Sequence, residues 1–250
     1  IDALASAAEK LGRGARPGDV PEAGFNEVRQ AARAFNRMQH RIRRMIEDRT
    51  QMIAAISHDL RTPITRLRLR AEFVEDAEEQ QKMLADLDQM EAIIKSTLAF
   101  AREDADTEPT SPVDLRALLT EVAETHPPAK LVAREPCTLR ARPVALRRCF
   151  NNLVANAIRY GGSAEIAIRE LPDAVEVTVD DAGPGIPEDR LKDVFRPFVR
   201  LEESRNRDSG GVGLGLAIPR SVALAHGGSI VLSNRPAGGL RALVRLPKAG

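Results

Sequence analysis

The sequence predicts a multidomain chain of α plus α/β class, with about one hundred residues of coiled and bundled helix followed by an α/β sandwich. Three observations carry this expectation. Apolar residues recur every seven positions between Val28 and Val74, as packed long helices require. Val175, Val177 and Val179 alternate with polar residues, as a strand with one buried face requires. Between the two textures lies residues 103–112 (EDADTEPTSP), an acidic, proline-containing stretch that reads as a linker.

The chain opens in an amphipathic helix with Ile1, Leu4, Ala8 and Leu11 on one face, which Gly12, Gly14, Pro17, Gly18 and Pro21 then end. A second run sets Val28, Phe35 and Ile42 seven apart, with Ala31, Met38 and Met45 in the companion positions of a heptad seam. Ile46, Ile53, Leu60, Leu67 and Val74 continue a seven-residue series that starts four residues after Ile42. A four-residue insertion is a stutter, which locally unwinds a supercoil. One helix is therefore expected from about residue 26 to about 74, with altered coil geometry near 42–50. Such a stutter is ordinarily structural; the functional alternative is a mechanical joint. Residues 75–81 (EDAEEQQ) read as a hairpin tip, and the next helix is expected to point Leu84, Leu87, Met90, Ile94, Leu98 and Ala101 inward. Two helices bury two seams poorly, so a four-helix bundle made by dimerisation is the expected solution.

After Val113 the texture is mixed. Leu115, Leu118, Leu119 and Val122 mark a helix and residues 144–159 another; Ile166 with Ile168 marks a neighbour for the valine strand, and Ile230 with Leu232 followed by 240–246 a closing hairpin. Lys plus Arg number 37 against 36 Asp plus Glu, for a formal charge of +1. That balance argues against a general nucleic-acid binder, which needs excess cations to displace counterions. The two cysteines, Cys137 and Cys149, have no metal-ligand spacing, which argues against structural zinc and for a reducing compartment. No run of about eighteen apolar residues and no signal-peptide pattern occurs. The chain starts at Ile1, inside a helix, and is expected to be a fragment whose missing part is N-terminal.

Three constellations carry chemistry. On the long helix stands Ser57-His58-Asp59-Leu60-Arg61-Thr62-Pro63. With Leu60 in the seam, His58 faces solvent, and Thr62 shares its face four residues later. Pro63 removes the amide that would bond the Asp59 carbonyl and is expected to kink the helix. Asp59 can accept the Nδ1 proton of His58 and leave Nε2 free to attack. A lone His-Asp pair is usually an idle surface pair; the Thr-Pro that follows changes the weighing. Second, Asp181, Gly183, Gly185 and Ile186 directly follow the valine strand. A strand-end carboxylate with glycines suits close approach to a planar base, Asp181 accepting from an exocyclic amine. Gly210 to Leu216 (GGVGLGL) then precedes a helix, and clustered backbone amides there make a phosphate cradle. It lacks the lysine of a Walker loop and the incoming strand of a Rossmann fingerprint. Third, Asn152 and Asn156 lie one turn apart on a helix that ends in Arg159 and Tyr160. Their amide oxygens can coordinate magnesium already carrying phosphates, although helical asparagines more often serve hydrogen bonds.

Taken in order, these segments resemble the boxes of bacterial sensor histidine kinases: the H box at His58, the N box at Asn152–Tyr160, the G1 box at Asp181–Ile186, the F box at Phe195–Phe198 (FRPF) and the G2 box at Gly211–Leu216. The first fifty residues resemble a HAMP linker, including Glu27-Val28 and the run from Phe35 to Met38, and the run from His58 to Arg66 is similar to the EnvZ type. The resemblance implies a HAMP coiled coil (1–48), a dimeric phosphotransfer bundle (49–104), a linker (105–112) and an ATP-binding sandwich of the GHKL, or Bergerat, type (113–250). It implies autophosphorylation of His58 by ATP and Mg2+, phosphotransfer to an aspartate of a response-regulator receiver domain, and phosphatase activity toward that regulator. Asp59 would orient or deprotonate His58, and Thr62 would place water for dephosphorylation. Asn156, supported by Asn152, becomes the magnesium site, Arg159 and Tyr160 phosphate or ribose contacts, and Asp181 the adenine reader with Gly183, Gly185 and Ile186. Gly211, Gly213, Leu214, Gly215 and Leu216 cradle phosphates, and 196–212 forms a mobile lid. The implied partners are a second copy and the regulator, with no nucleic acid; the implied location is the cytoplasmic face of the inner membrane, reached through the missing N-terminal part. Two departures stand out. Arg142 occupies a place where an aspartate is usual, and Pro219 sits early in the helix after the G2 box. The rival readings are a GHKL ATPase of another kind, a dimeric scaffold with a degenerate nucleotide site, and a sensor dominated by phosphatase activity.

Overall fold

The computed structural model describes residues 2–12, 18–105, 108–132, 137–199 and 213–248; Ile1, Gly14, Pro17 and Gly211 lie outside them. Helix α1 (Asp2–Gly12) packs on the start of helix α2 (Asn26–Ala71), where Ala7, Val20, Ala32 and Phe35 form a small core flanked by Leu4 and Leu11. Ala8, expected on that face, is exposed. Both alanines fall within the broad stripe below Leu4, and the returning segment at Val20 selects Ala7. Asn36 ties that segment down: its Nδ2 donates to the Val20 carbonyl at 3.0 Å and its Oδ1 accepts the Val20 amide at 2.9 Å.

Helix α2 runs unbroken for 46 residues, about 69 Å at 1.5 Å per residue, and contains Pro63 without ending there. Helix α3 (Ala77–Ala105) returns beside it. The turn is 72–76, shorter than the expected tip, because the Asp76 carboxylate accepts from the Glu78 and Glu79 amides at 2.9 and 3.2 Å and starts the helix early. The face of α2 that meets α3 is Ser57, Ile64 and Ala71, all buried and seven apart. Above them, the Thr50 hydroxyl donates to the Ala101 carbonyl at 2.9 Å. Met38, Ile42, Met45, Leu60 and Leu67, expected in the seam, are exposed together with Met52 and Ile56, as is Met90 on α3. A bundle helix has two apolar seams, and periodicity does not say which neighbour each one meets. Covering one such side chain is worth about 1.5–3 kcal/mol, against about 0–1 kcal/mol for a surface ion pair such as Arg68 with Asp88. The uncovered stripe therefore dominates what this hairpin still has to gain.

The second half comprises β1 (Ser111–Asp114), α4 (Leu115–Thr125), β2 (Ala129–Leu131), β3 (Thr138–Ala141), α5 (Pro143–Gly161), β4 (Ala164–Glu170), β5 (Ala174–Asp180), α6 (Ala217–Ala225), β6 (Ser229–Asn234) and β7 (Leu240–Pro247). Ser111 and Pro112, expected in the linker, open β1, which among the described residues pairs only with β3; this two-stranded edge tolerates a residue without an amide. A five-stranded sheet has the order β2-β4-β5-β7-β6, antiparallel except for β2–β4. Register aligns Ile166 with Val179, Val177 with Val244 and Val175 with Leu246, so one face is apolar. It shares a core with Leu115, Leu119, Phe150, Val154 and Val222 of α4, α5 and α6. Pro219 falls in the first turn of α6 and is fully buried, where a missing amide costs nothing.

The start of α5 is capped from afar. Its N-cap position is Arg142, whose side chain makes no cap. The Glu108 carboxylate instead accepts from the Val144 amide at 2.8 Å and the Ala145 amide at 3.0 Å. Arg142 donates through its guanidinium to the Ala225 carbonyl at 2.9 Å, and its own amide donates to His226 Nε2 at 3.0 Å. His226 Nδ1 lies 2.8 Å from the Val222 carbonyl, so the ring must be the neutral Nδ1–H tautomer. Burial, helped by the Arg142 charge, pushes the His226 imidazole below its ordinary 6.5, against the pull of the Val222 bond and of Glu108. Below that ordinary value the unfolded chain binds the proton more readily. The His226 contribution to stability is thus complete above pH 6.5 and drains away as pH falls toward the lower folded value. The α/β half should melt at progressively lower temperature from pH 6.5 downward, and His226→Gln should flatten that dependence in calorimetric melts.

Candidate functional site

His58, Asp59 and Thr62 sit in the C-terminal third of α2, on the side opposite to the buried Ser57–Ile64–Ala71 line. The imidazole and carboxylate are 80% and 83% exposed, and Nδ1 lies 3.3 Å from Asp59 Oδ1. That exposure is what decides accessibility: nothing in the hairpin shields Nε2. Pro63 withholds its amide from the Asp59 carbonyl one turn earlier, leaving that acceptor to solvent.

A second cluster forms where the C-terminal end of α5, the end of β5 and the segment before α6 converge. Glycines mark the closeness. A β-carbon on Gly161 would come within 2.6 Å of the Asp181 β-carbon, one on Gly183 within 2.6 Å of the Tyr160 carbonyl, and one on Gly215 within 2.6 Å of both amide atoms of Asn156. Asn156 is thereby laid against the backbone at Gly215, while Asn152 donates through Nδ2 to the Arg148 carbonyl at 2.8 Å, which leaves its oxygen uncommitted by that bond. Leu214 is buried and Leu216 half-buried, so both serve packing at this edge; Gly213 has φ 76°. The Gly213 carbonyl accepts the Phe198 amide at 2.9 Å, and Phe198 itself stands at φ 66°, a strained setting for an aromatic residue. Arg159 lies over the Tyr160 ring at 5.6 Å, and both are exposed. Residues 200–212, with Gly211 and most of the expected lid, are outside the described residues.

Asp181 is buried, and its Oδ1 accepts from the Gly183 amide at 2.8 Å and the Leu240 amide at 3.0 Å. These two bonds commit Oδ1 to the backbone, and Oδ2 takes no part in them. Two residues that sequence reasoning missed complete the frame. Asn234 at the end of β6 accepts the Ile186 amide at 2.8 Å and donates to the Ile186 carbonyl at 2.7 Å. Arg235 donates to the Asp181 carbonyl at 2.8 Å and flanks Asp180, which Arg241 holds by bonds of 2.8 and 2.5 Å. Their signal was faint, since Asn-Arg-Pro after a strand reads only as a turn.

The arrangement thus gathers two asparagine amides, the exposed Arg159, glycine backbone and one buried carboxylate into one site, beside a hairpin that displays an imidazole. Residues 141–250 match the family of histidine kinase-, DNA gyrase B- and HSP90-like ATPases, which gives this nucleotide crevice an ATP-binding fold but leaves three kinds of protein open. Residues 48–106, the hairpin with His58, match the His Kinase A (phospho-acceptor) domain, and residues 1–44 the HAMP domain. The chain belongs to the bacterial sensor histidine kinases. The sensor histidine kinase GtrS of Pseudomonas aeruginosa is 43% identical over 250 residues, covering 99% of this chain and 52% of the relative. CpxA of Escherichia coli K12 is 33% identical over 261 residues, covering 98% and 57%. Full-length ShkA in complex with AMPPNP superposes with a TM-score of 0.63 at 26% identity, over 80% of this chain and 46% of that one. The chain spans about half the length of the curated relatives it matches. No helix among the described residues is long and apolar enough to cross a membrane.

For a kinase chain, the Asn234 clamp has a measurable consequence. Asn234→Ala removes both bonds to Ile186, each worth about 1 kcal/mol, and should lower the melting temperature by several degrees and weaken binding of a fluorescent adenine nucleotide about tenfold.

Proposed function

We propose that the chain is the signalling core of a sensor histidine kinase that transfers the γ-phosphoryl group of ATP to its own His58. It then passes the group to an aspartate of a response-regulator receiver domain, and it hydrolyses that regulator's phosphate in the opposite signalling state. The single observation that carries this is the exposed His58–Asp59 pair on α2, at 3.3 Å, in the same chain as the nucleotide crevice.

Asp59 holds the proton on Nδ1, so the lone pair of Nε2 is free. Nε2 forms a bond to the γ-phosphorus as the bond from phosphorus to the β,γ-bridging oxygen breaks, and ADP leaves. Little covalent work falls to the protein; positioning and charge stabilisation do most of it. Asp181 Oδ2 accepts from the adenine amine, with Gly183, Gly185 and Ile186 close to the ring. Arg159 and Tyr160 meet phosphate or ribose, and the backbone of 213–216 with Gly211 faces the phosphates. Thr62, on the His58 face, orients the water of the phosphatase reaction.

Magnesium fits the donor set. Asn156 and Asn152 offer only neutral oxygens, so a cation here would take its anionic ligands from the phosphates. Bound there, it would supply charge neutralisation. A second copy of the chain covers the exposed Ile56–Leu60–Leu67 stripe and closes a four-helix bundle, and the whole protein sits at the inner membrane. The division 1–48, 49–104, 105–112 and 113–250 follows these roles, with β1 joined to the last part. Incubation with γ-labelled ATP and magnesium, followed by mapping of the modified residue, tests the reading; label on any residue other than His58, or none, overturns it.

A further inference from the structure

Helix α5 carries Asn152, Asn156, Arg159 and Tyr160, yet its first turn depends on a residue outside its own domain core. Glu108, 36 and 37 residues earlier, accepts from the Val144 and Ala145 amides at 2.8 and 3.0 Å. The local N-cap position holds Arg142, with φ −92°, ψ 106° and no capping bond, whereas Ser, Thr, Asp or Asn ordinarily fills that role. A carboxylate at a helix start is also favoured by the helix dipole. A second contact ties the same helix to the hairpin: Arg148 Nη1 donates to the Ala99 carbonyl of α3 at 3.3 Å, and α6 packs on α3 as well.

Glu108 sits on the connection between α3, which ends at Ala105, and β1, which starts at Ser111. With Glu108 seated, two residues join the hairpin to an anchored point. Unseated, the tether gains three residues, or about 10 Å of reach at 3.3–3.6 Å per residue. A longer tether lowers effective concentration and loosens orientation. We propose that Glu108 is a positioning residue: by seating the linker on the N-terminus of α5, it sets the reach and orientation with which nucleotide at the far end of α5 is presented to His58. This rests on the histidine-kinase reading above.

Three variants of the full chain separate positioning from mere helix capping. In Glu108→Ala, amide exchange across 144–147 should accelerate and autophosphorylation at saturating ATP should fall about tenfold, while KM for ATP stays within about twofold. Arg142→Ala loses the bond to Ala225 but brings no rival carboxylate to the Val144 and Ala145 amides, and it should keep the unaltered rate. The double variant Glu108→Ala with Arg142→Asp gains a local cap and should regain slow exchange, but not the rate. Recovery of the rate in the double variant reduces Glu108 to a cap and overturns the proposal, as does an unaltered rate in Glu108→Ala. A slow Arg142→Ala single variant overturns it too, because the rate then follows Arg142. Absence of label on His58 in the unaltered chain is a different failure: it removes the kinase reading itself.

Discussion

Replacing His58 by glutamine is expected to abolish the acid-labile, alkali-stable phosphate that the chain acquires from γ-labelled ATP. Glutamine has similar length and solubility, and the site is 80% exposed, so the helix and its packing against α3 should be untouched; far-ultraviolet dichroism and the melting temperature should match the unaltered chain. What disappears is the sp2 nitrogen lone pair, for which an amide nitrogen is no substitute as a nucleophile. The loss should be total within detection, because no neighbouring side chain on that face offers an equivalent: Asp59 and Thr62 give phosphate linkages of different acid and base stability. ATP binding should persist within about twofold, since the crevice lies on other elements. Retention of label with these stabilities in the variant would falsify the assignment.

Asp181→Asn should raise the KM for ATP by at least about a hundredfold, with folding preserved. The asparagine oxygen can still accept from the Gly183 and Leu240 amides, as Oδ1 does at 2.8 and 3.0 Å, so the loop keeps its shape. The other terminus changes from an acceptor to an NH2 donor and would face the adenine amine, also a donor. Two donors left facing each other in a crevice cost far more than one missing bond, and sites built on such a bond discriminate by about 10⁴–10⁵. Autophosphorylation rates across an ATP series measure this directly, and equilibrium titration with a fluorescent adenine nucleotide should show a matching loss of affinity. A KM within threefold of the unaltered chain would mean that Asp181 reads nothing on the base.

Much of this was legible beforehand. Periods of seven and two survive in any fold, so α2, α3 and the Val175–Val179 strand were readable from their residues. The clustered glycines announced close backbone approach, and Gly215 against Asn156 is the physical form of that signal. The seam assignment was not legible, because Leu60 and Ile64 both satisfy a seven-residue repeat and only the neighbour decides which is buried. Nor were Glu108 and Asn234, whose hydrogen bonds span 36 and 48 residues; no local pattern encodes a partner that distant. Pro112 hid β1, since proline argues against a strand except at an edge like this one. Arg142 is the instructive case: the residue that looked like a departure is the one whose missing cap a remote carboxylate supplies.

The unbroken course of α2 from Asn26 to Ala71 imposes a rule on chimaeras. Each residue added to such a rod turns everything beyond it by about 100°, whereas seven added residues leave a residual of only about 20°. A foreign receptor spliced upstream of Phe35 must therefore arrive in phase, its junction counted modulo seven. Out of phase by one, it would aim the imidazole a quarter-turn or more from where the native input does.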